Sequence, residues 1–257
     1  MIINPDKYNY IIFCPQQKNR FIDNIILNSN LHLSLNNQQI NWISSTKYLG
    51  IQLSYNLSWQ PHVTNITKIT SVHLGILGKL RHYLPRSILL QYYYANIQSY
   101  LIYGIVTWGS TYPSIVNNLE VVINKATRIM CFKDYNENVD NLKCTLGIST
   151  FRNLWLRMTS ICIYKVVNNL AHNSSSFEIS YRVIDSNVGL RSGLANEGLI
   201  KLCEPNCRTN FMFYLFNNVN AKLWNHIIGC EDISKLSLHQ FKIFLKKSNN
   251  IYPNFNF

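Results

Sequence analysis

The chain has 257 residues, of which 47% are hydrophobic and 14% charged. That length and apolar share exclude an intrinsically disordered chain and allow a sizeable buried core. Lys plus Arg outnumber Asp plus Glu by 24 to 12, a net charge of +12, which points to polyanionic partners, nucleic acid or an anionic membrane surface.

The first sixty residues read as strands. Tyr8-Asn9-Tyr10-Ile11-Ile12-Phe13 is rich in β-favouring residues and stops at Cys14-Pro15. Leu31 to Leu35 alternates with period two, meets a turn at Asn36-Asn37, and is answered by Gln38 to Ile43. Tyr48 to Leu53 is a further strand, and the whole is a small antiparallel meander. From His62 the period changes: Val63, Ile66, Ile69, Leu74, Leu77 and Leu80 mark an amphipathic helix. Pro85 suits the first turn of the next helix, Arg86 to Ile105, which is apolar nearly all round. Gln91, Asn96 and Gln98 interrupt it, so it reads as a buried helix and not as a membrane span. A third helix runs from about Pro113 to Phe132, Asp134 to Asp140 is an acidic loop, and a fourth helix covers roughly Arg152 to Leu170. Asn173-Ser174-Ser175-Ser176 is a linker, and residues 177–210 carry no period. Phe211 to Trp224 reads as strand then helix, and Ser237 to Lys246 as a basic amphipathic helix. The fold class is therefore α+β: strands over 1–60, a helical bundle over 61–133, and a mixed carboxy-terminal region over 134–257.

Charge is unevenly placed. Between Lys47 and Lys133, inclusive, the one acid is Glu120, against eight Lys or Arg. Lys68, Lys79, Arg81 and Arg86 lie on or beside helices, interleaved with Tyr83, Tyr92, Tyr93, Tyr94, Tyr100, Tyr103 and Trp108. Phosphate contacts from such helix-borne cations are salt-dependent and sequence-tolerant. The plainer reading of the tyrosines is core, and of the cations a solvated face.

Chemistry beyond binding is sparse. Two-metal phosphoryl transfer needs clustered carboxylates, and the sole adjacent acidic pair, Glu231-Asp232, lies in a loop-like stretch. Cys203, Cys207, His226 and Cys230 follow a zinc-like order at an uncommon spacing, so buried thiols are the expectation. Seven irregularly spaced cysteines read as reduced and intracellular, without choosing between nucleus and cytoplasm. Met1-Ile2-Ile3 is followed by Asn4-Pro5-Asp6-Lys7, not by an apolar secretory core, so the sequons at Asn56, Asn65 and Asn173 read as chance. No catalytic or metal residue and no small-molecule substrate is assigned.

Several short segments follow one another in a fixed order. Asn4-x-x-Lys7 precedes the Tyr10 to Phe13 strand, and Lys47-Tyr48-Leu49-Gly50-Ile51 and Leu57-Ser58-Trp59-x-x-His62 come next. Gly75-Ile76-Leu77-x-Lys79-Leu80-Arg81, Leu84-Pro85 and Tyr100 to Gly109 continue the series, as do Asn124-Lys125-Ala126-x-Arg128, Arg208-Thr209-Asn210 and Ala221 to Asn225. Ser237-Leu238-x-x-Phe241-Lys242 closes it. In that order and spacing they resemble non-LTR retrotransposon reverse transcriptases of the jockey-like LINE type, from whose usual Thr Tyr8 departs.

The resemblance implies that residues 1–60 are the last strands of a polymerase palm, with Tyr48-Leu49-Gly50 as a primer-grip hairpin. Residues 61–133 would be a thumb that tracks an RNA or RNA–DNA template–primer duplex. It implies nucleic-acid contacts from Lys7, Lys47, Tyr48, Leu49, Gly50, Lys68, Lys79, Arg81, Arg86, Lys125 and Arg128. The family's Asp-Asp motif and its Mg2+ belong to palm sequence absent from this chain, so no polymerase activity and no cofactor are expected of it alone. Two alternatives stay beside this reading: a nucleic-acid-binding or scaffold protein descended from such an element, and a product without function.

Overall fold

The computed structural model describes residues 8–14, 33–35, 38–134, 136–168, 170–171, 202, 204, 216–228, 233 and 236–247. The chain divides into two compact units, Met1–Ser71 and Val72–Phe257, and the division falls inside one long helix. It is a mixed α+β protein, predominantly helical, with small two-stranded sheets at the amino-terminal end.

In the first unit the strands are short: β1 (Asn9–Tyr10), β2 (Ser34–Leu35), β3 (Gln38–Gln39), β4 (Asn41–Trp42), β5 (Ser45–Tyr48) and β6 (Ile51–Ser54). On either side of Asn36-Asn37, where a hairpin is expected, β2 and β3 pair antiparallel. Among the described residues the strands do not form a continuous antiparallel meander. β1 pairs with β4 in parallel, which the long connection over 11–40 permits and a tight turn would not.

The reading of Tyr48 to Leu53 as one strand also needs correction. The chain reverses at Leu49-Gly50, with φ of 46° and 83°, and Lys47 faces Gln52 across the β5–β6 hairpin. Positive φ at both central residues is the primed turn that matches strand twist, and Asn-Gly is its usual sequence. A leucine at the first position is strained, by about 1–2 kcal/mol.

Helix α1 (Gln60–Leu80) follows. Its amino-terminal half buries Val63 and Ile66, and buried His62 accepts at Nδ1 from the Gln52 N–H, 3.3 Å away.

The elements described in the second unit are helices. After α1 come α2 (Arg86–Tyr93), a π-helical turn (Tyr94–Gln98), α3 (Ser99–Ile102) and α4 (Ile105–Trp108). Then follow α5 (Pro113–Met130), α6 (Val139–Leu146), α7 (Phe151–Val167), α8 (Phe216–Ile228) and α9 (Leu238–Lys247). The sequence predicts one unbroken helix from Arg86 to Ile105, and the structure shows why it is interrupted. Leu89, Tyr93, Ile97, Leu101 and Ile105 are all fully buried, a spacing of four. In an ideal α-helix a spacing of four drifts about 40° per step, so that stripe would wind off the core. The π turn widens the coil, and Gly104 at φ 60° restarts it.

Helix α7 is the hub: α3, α4, α5, α8 and α9 all pack on it. Trp108 stacks on Phe151 with centroids 5.5 Å apart, and Tyr164 stacks on Phe241 at 4.4 Å. A Cβ added at Gly109 would stand 2.4 Å from Trp155 Cδ1 and 2.5 Å from the Ile105 carbonyl oxygen, so only glycine fits there.

The loop expected over Asp134 to Asp140 ends early. Asn138 accepts from the Asp140 N–H at 2.9 Å and starts α6, which Gly147 at φ 67° closes.

Candidate nucleic-acid interface

The expected contact residues fall in two places, and Lys7 lies outside the described residues. In the first unit, Lys47, Tyr48, Leu49 and Gly50 form the exposed tip of the β5–β6 hairpin, with Tyr48 and Leu49 64% and 73% exposed. Lys68 is exposed on α1 and lines a cleft of about 580 Å³ with Ser44, Ser45, Ser54, Asn56, Ser58 and Thr64 among its other walls. Ser54 Oγ donates to the Ser58 carbonyl at 2.7 Å, and the Ser58 N–H donates to Asn56 Oδ1 at 3.1 Å, which orders the entry to α1. Among the described residues that line the cleft, Lys68 is the one charged side chain.

In the second unit the structure brings Arg81 and Arg86 to the carboxy-terminal end of α5. The Arg81 guanidinium carbon lies 5.4 Å from the Phe132 ring centroid, a cation–π contact. Burial holds the Cys131 thiol above its ordinary value, against the smaller downward pull of the Arg86 and Lys133 charges. Lys133 Nζ donates to Glu137 Oε1 at 2.9 Å, and this bond raises the lysine's pKa. Half-buried Arg128 donates from Nε to the Glu137 carbonyl at 3.2 Å, so it braces the loop after α5. Lys79, in the last turn of α1, and Lys125, on α5, are exposed.

The solitary acid of this stretch does not sit among the cations of the surface. Glu120 Oε1 accepts from the buried ammonium of Lys143, and Oε2 accepts from the Phe151 N–H at 2.7 Å. One carboxylate therefore neutralises a buried lysine and caps the amino terminus of α7. Among the described residues the ion pairs are Lys133–Glu137 and Lys143–Glu120, so Lys47, Lys68, Lys79, Arg81, Arg86 and Lys125 enter none.

The core reading of the tyrosines holds only in part. Tyr93 and Trp108 are in the core, but Tyr83, Tyr94, Tyr100 and Tyr103 are exposed. The buried stripe is one residue wide, so their positions face outward. Tyr92 OH meets His73 Nδ1 at 3.0 Å, and Tyr100 stacks on the same imidazole with centroids 5.8 Å apart.

Phe132 does not stand out in the sequence. It follows the last turn of α5 at φ 57° and is 46% exposed. Its N–H donates to the Ile129 carbonyl at 3.2 Å, and the Lys133 N–H donates to Arg128 at 3.0 Å, the paired bonds of a Schellman ending. That motif favours glycine at the position Phe132 holds, and an L side chain there costs about 1–2 kcal/mol. The available signal was a helix running to about Phe132 with no glycine to close it.

No group of three His, Cys, Asp or Glu among the described residues is placed to hold a metal ion. Of the zinc-like set, Cys203, Cys207 and Cys230 lie outside the described residues, as do Glu231 and Asp232. No described helix is long and apolar enough to cross a membrane. No family model, curated protein or solved structure matches the chain.

Proposed function

We propose that this chain binds nucleic-acid duplex, an RNA or RNA–DNA template–primer, through phosphate contacts from Lys47, Lys68, Lys79, Arg86 and Lys125. On this reading β1–β6 are closing strands of a palm, the Leu49-Gly50 hairpin is a primer grip, and α1–α5 form a thumb of the non-LTR retrotransposon type. The observation that carries it is the fate of Glu120. Because Glu120 is committed to Lys143 and Phe151, those exposed cations have no carboxylate from their own stretch beside them. Uncompensated lysines on helix surfaces release counterions when they meet phosphates, which makes affinity salt-dependent.

The test is a fluorescence anisotropy titration of an RNA–DNA hybrid from low to physiological salt. Binding should weaken linearly on a log–log plot, with a slope of about 0.9 per phosphate contact. Lys68→Gln and Lys79→Gln should each flatten that slope by about one contact. Absence of any affinity at low salt overturns the proposal.

A further inference from the structure

The end of α5 combines features that stability alone does not account for. Phe132 occupies the left-handed position of a helix ending, where its backbone is strained. The chain ends α6 with the same pair of bonds, Gly147 N–H to Cys144 at 3.2 Å and Ile148 N–H to Lys143 at 3.0 Å, and there it uses glycine. Nor is the phenylalanine repaid by burial, because nearly half of it faces solvent. What the ring does have is the Arg81 guanidinium against it, with Arg86 near the preceding Cys131. Asp134 and Glu137 together balance Lys133 and Arg128 at this end of α5, leaving Arg81 and Arg86 as the local positive excess. Two residues beyond Arg81, in the turn between α1 and α2, Tyr83 is 84% exposed.

We infer that Phe132, braced by Arg81, is a stacking platform for unpaired bases of single-stranded nucleic acid. The inference rests on the nucleic-acid reading above and adds the kind of strand this surface takes. An exposed aromatic ring offers a face to any base, while adjacent arginines meet the phosphates. Bases inside a duplex already have both faces stacked, so the ring selects single strands, overhangs or splayed ends.

The experiment compares wild type, Phe132→Gly and Phe132→Trp, each as the full chain, for binding to fluorescein-labelled oligo(rU) and to a blunt RNA–DNA hybrid. Phe132→Gly should weaken oligo(rU) binding by about 5- to 150-fold and leave the hybrid unchanged. Phe132→Trp should stay within a few-fold of wild type on both. Relief of backbone strain should offset the missing cation–π attraction to Arg81, so the melting temperature of Phe132→Gly should move little. Unchanged oligo(rU) affinity in Phe132→Gly overturns the inference, as does an equal loss on both ligands or a loss in Phe132→Trp. A further arm uses anionic vesicles: if Phe132→Gly loses vesicle binding and keeps oligo(rU), the surface is a membrane contact and the inference fails. Wild type that binds the hybrid while the variants match it on oligo(rU) sinks only this inference. Wild type that binds neither ligand sinks the proposed function as well.

Discussion

Glu120 and Lys143, twenty-three residues apart, meet as a carboxylate and a buried ammonium between α5 and α6, and the second carboxylate oxygen holds the first N–H of α7. The contact fixes three helices with one side chain. It also leaves the basic surface of the second unit without the acid that composition suggests should temper it.

Removing one partner strands the other. Glu120→Ala leaves the Lys143 ammonium buried with no counter-charge and uncaps α7. A loss of about 3 kcal/mol is expected, because a broken buried pair exposes the desolvation cost of the survivor. Lys143→Met, which keeps the volume and removes the charge, should cost clearly less. Urea denaturation of both single variants and the double variant checks this, and the double should be no worse than Glu120→Ala.

Gly109 packs against the Trp155 ring and the Ile105 carbonyl, where a methyl group has no room. Gly109→Ala should destabilise by about 1–3 kcal/mol through overpacking at the α4–α7 contact. Gly75→Ala is the control, since a Cβ there meets nothing within 4 Å in a helix interior. That change should stabilise by up to about 1 kcal/mol. Thermal melts of the two variants should move in opposite directions.

The hairpin tip allows a gain. Leu49→Asn converts the turn to Asn-Gly, the residues that accept positive φ at both positions. The leucine is 73% exposed, so little burial is sacrificed, and a gain of about 0.5–1 kcal/mol is expected. If the tip contacts primer, the same variant should impair primer positioning in a longer polymerase while leaving simple duplex affinity nearly unchanged.

Burial holds the His62 imidazole below its ordinary value. The unfolded chain therefore takes up this proton more readily than the folded one. Its contribution to stability is complete above about pH 6.5 and is lost as pH falls through the lower folded value. Melting temperature should drop between pH 7.5 and pH 5.5, and His62→Gln should shrink that drop. An unchanged pH dependence in the variant would count against a buried neutral imidazole.

Much of the helical layout was legible in the chain. The threes and fours from Val63 to Leu80 and from Ile115 to Ile129 predict helices, and α1 and α5 lie there. The Asn36-Asn37 turn predicts the β2–β3 hairpin. Legibility failed where a local pattern had two solutions. Tyr48 to Leu53 reads as one strand because Leu49-Gly50 is an unusual turn pair, and α6 is only 8 residues long, too short for its period to stand out. A spacing of four apolar positions from Leu89 to Ile105 looks like an ordinary buried helix, and the π turn that keeps it aligned follows only from where the core lies.

Composition and order by themselves determined the mixed class, the excess of positive charge and the single acid in the stretch between Lys47 and Lys133. Only the tertiary structure decided what that acid does, which tyrosines face water, and that Phe132 stands strained beneath Arg81. The physical reason is that periodicity and propensity act over a few residues. Carboxylate pairing, ring exposure and close packing at Gly109 depend on partners brought from 23, 31, 46 and 51 positions away.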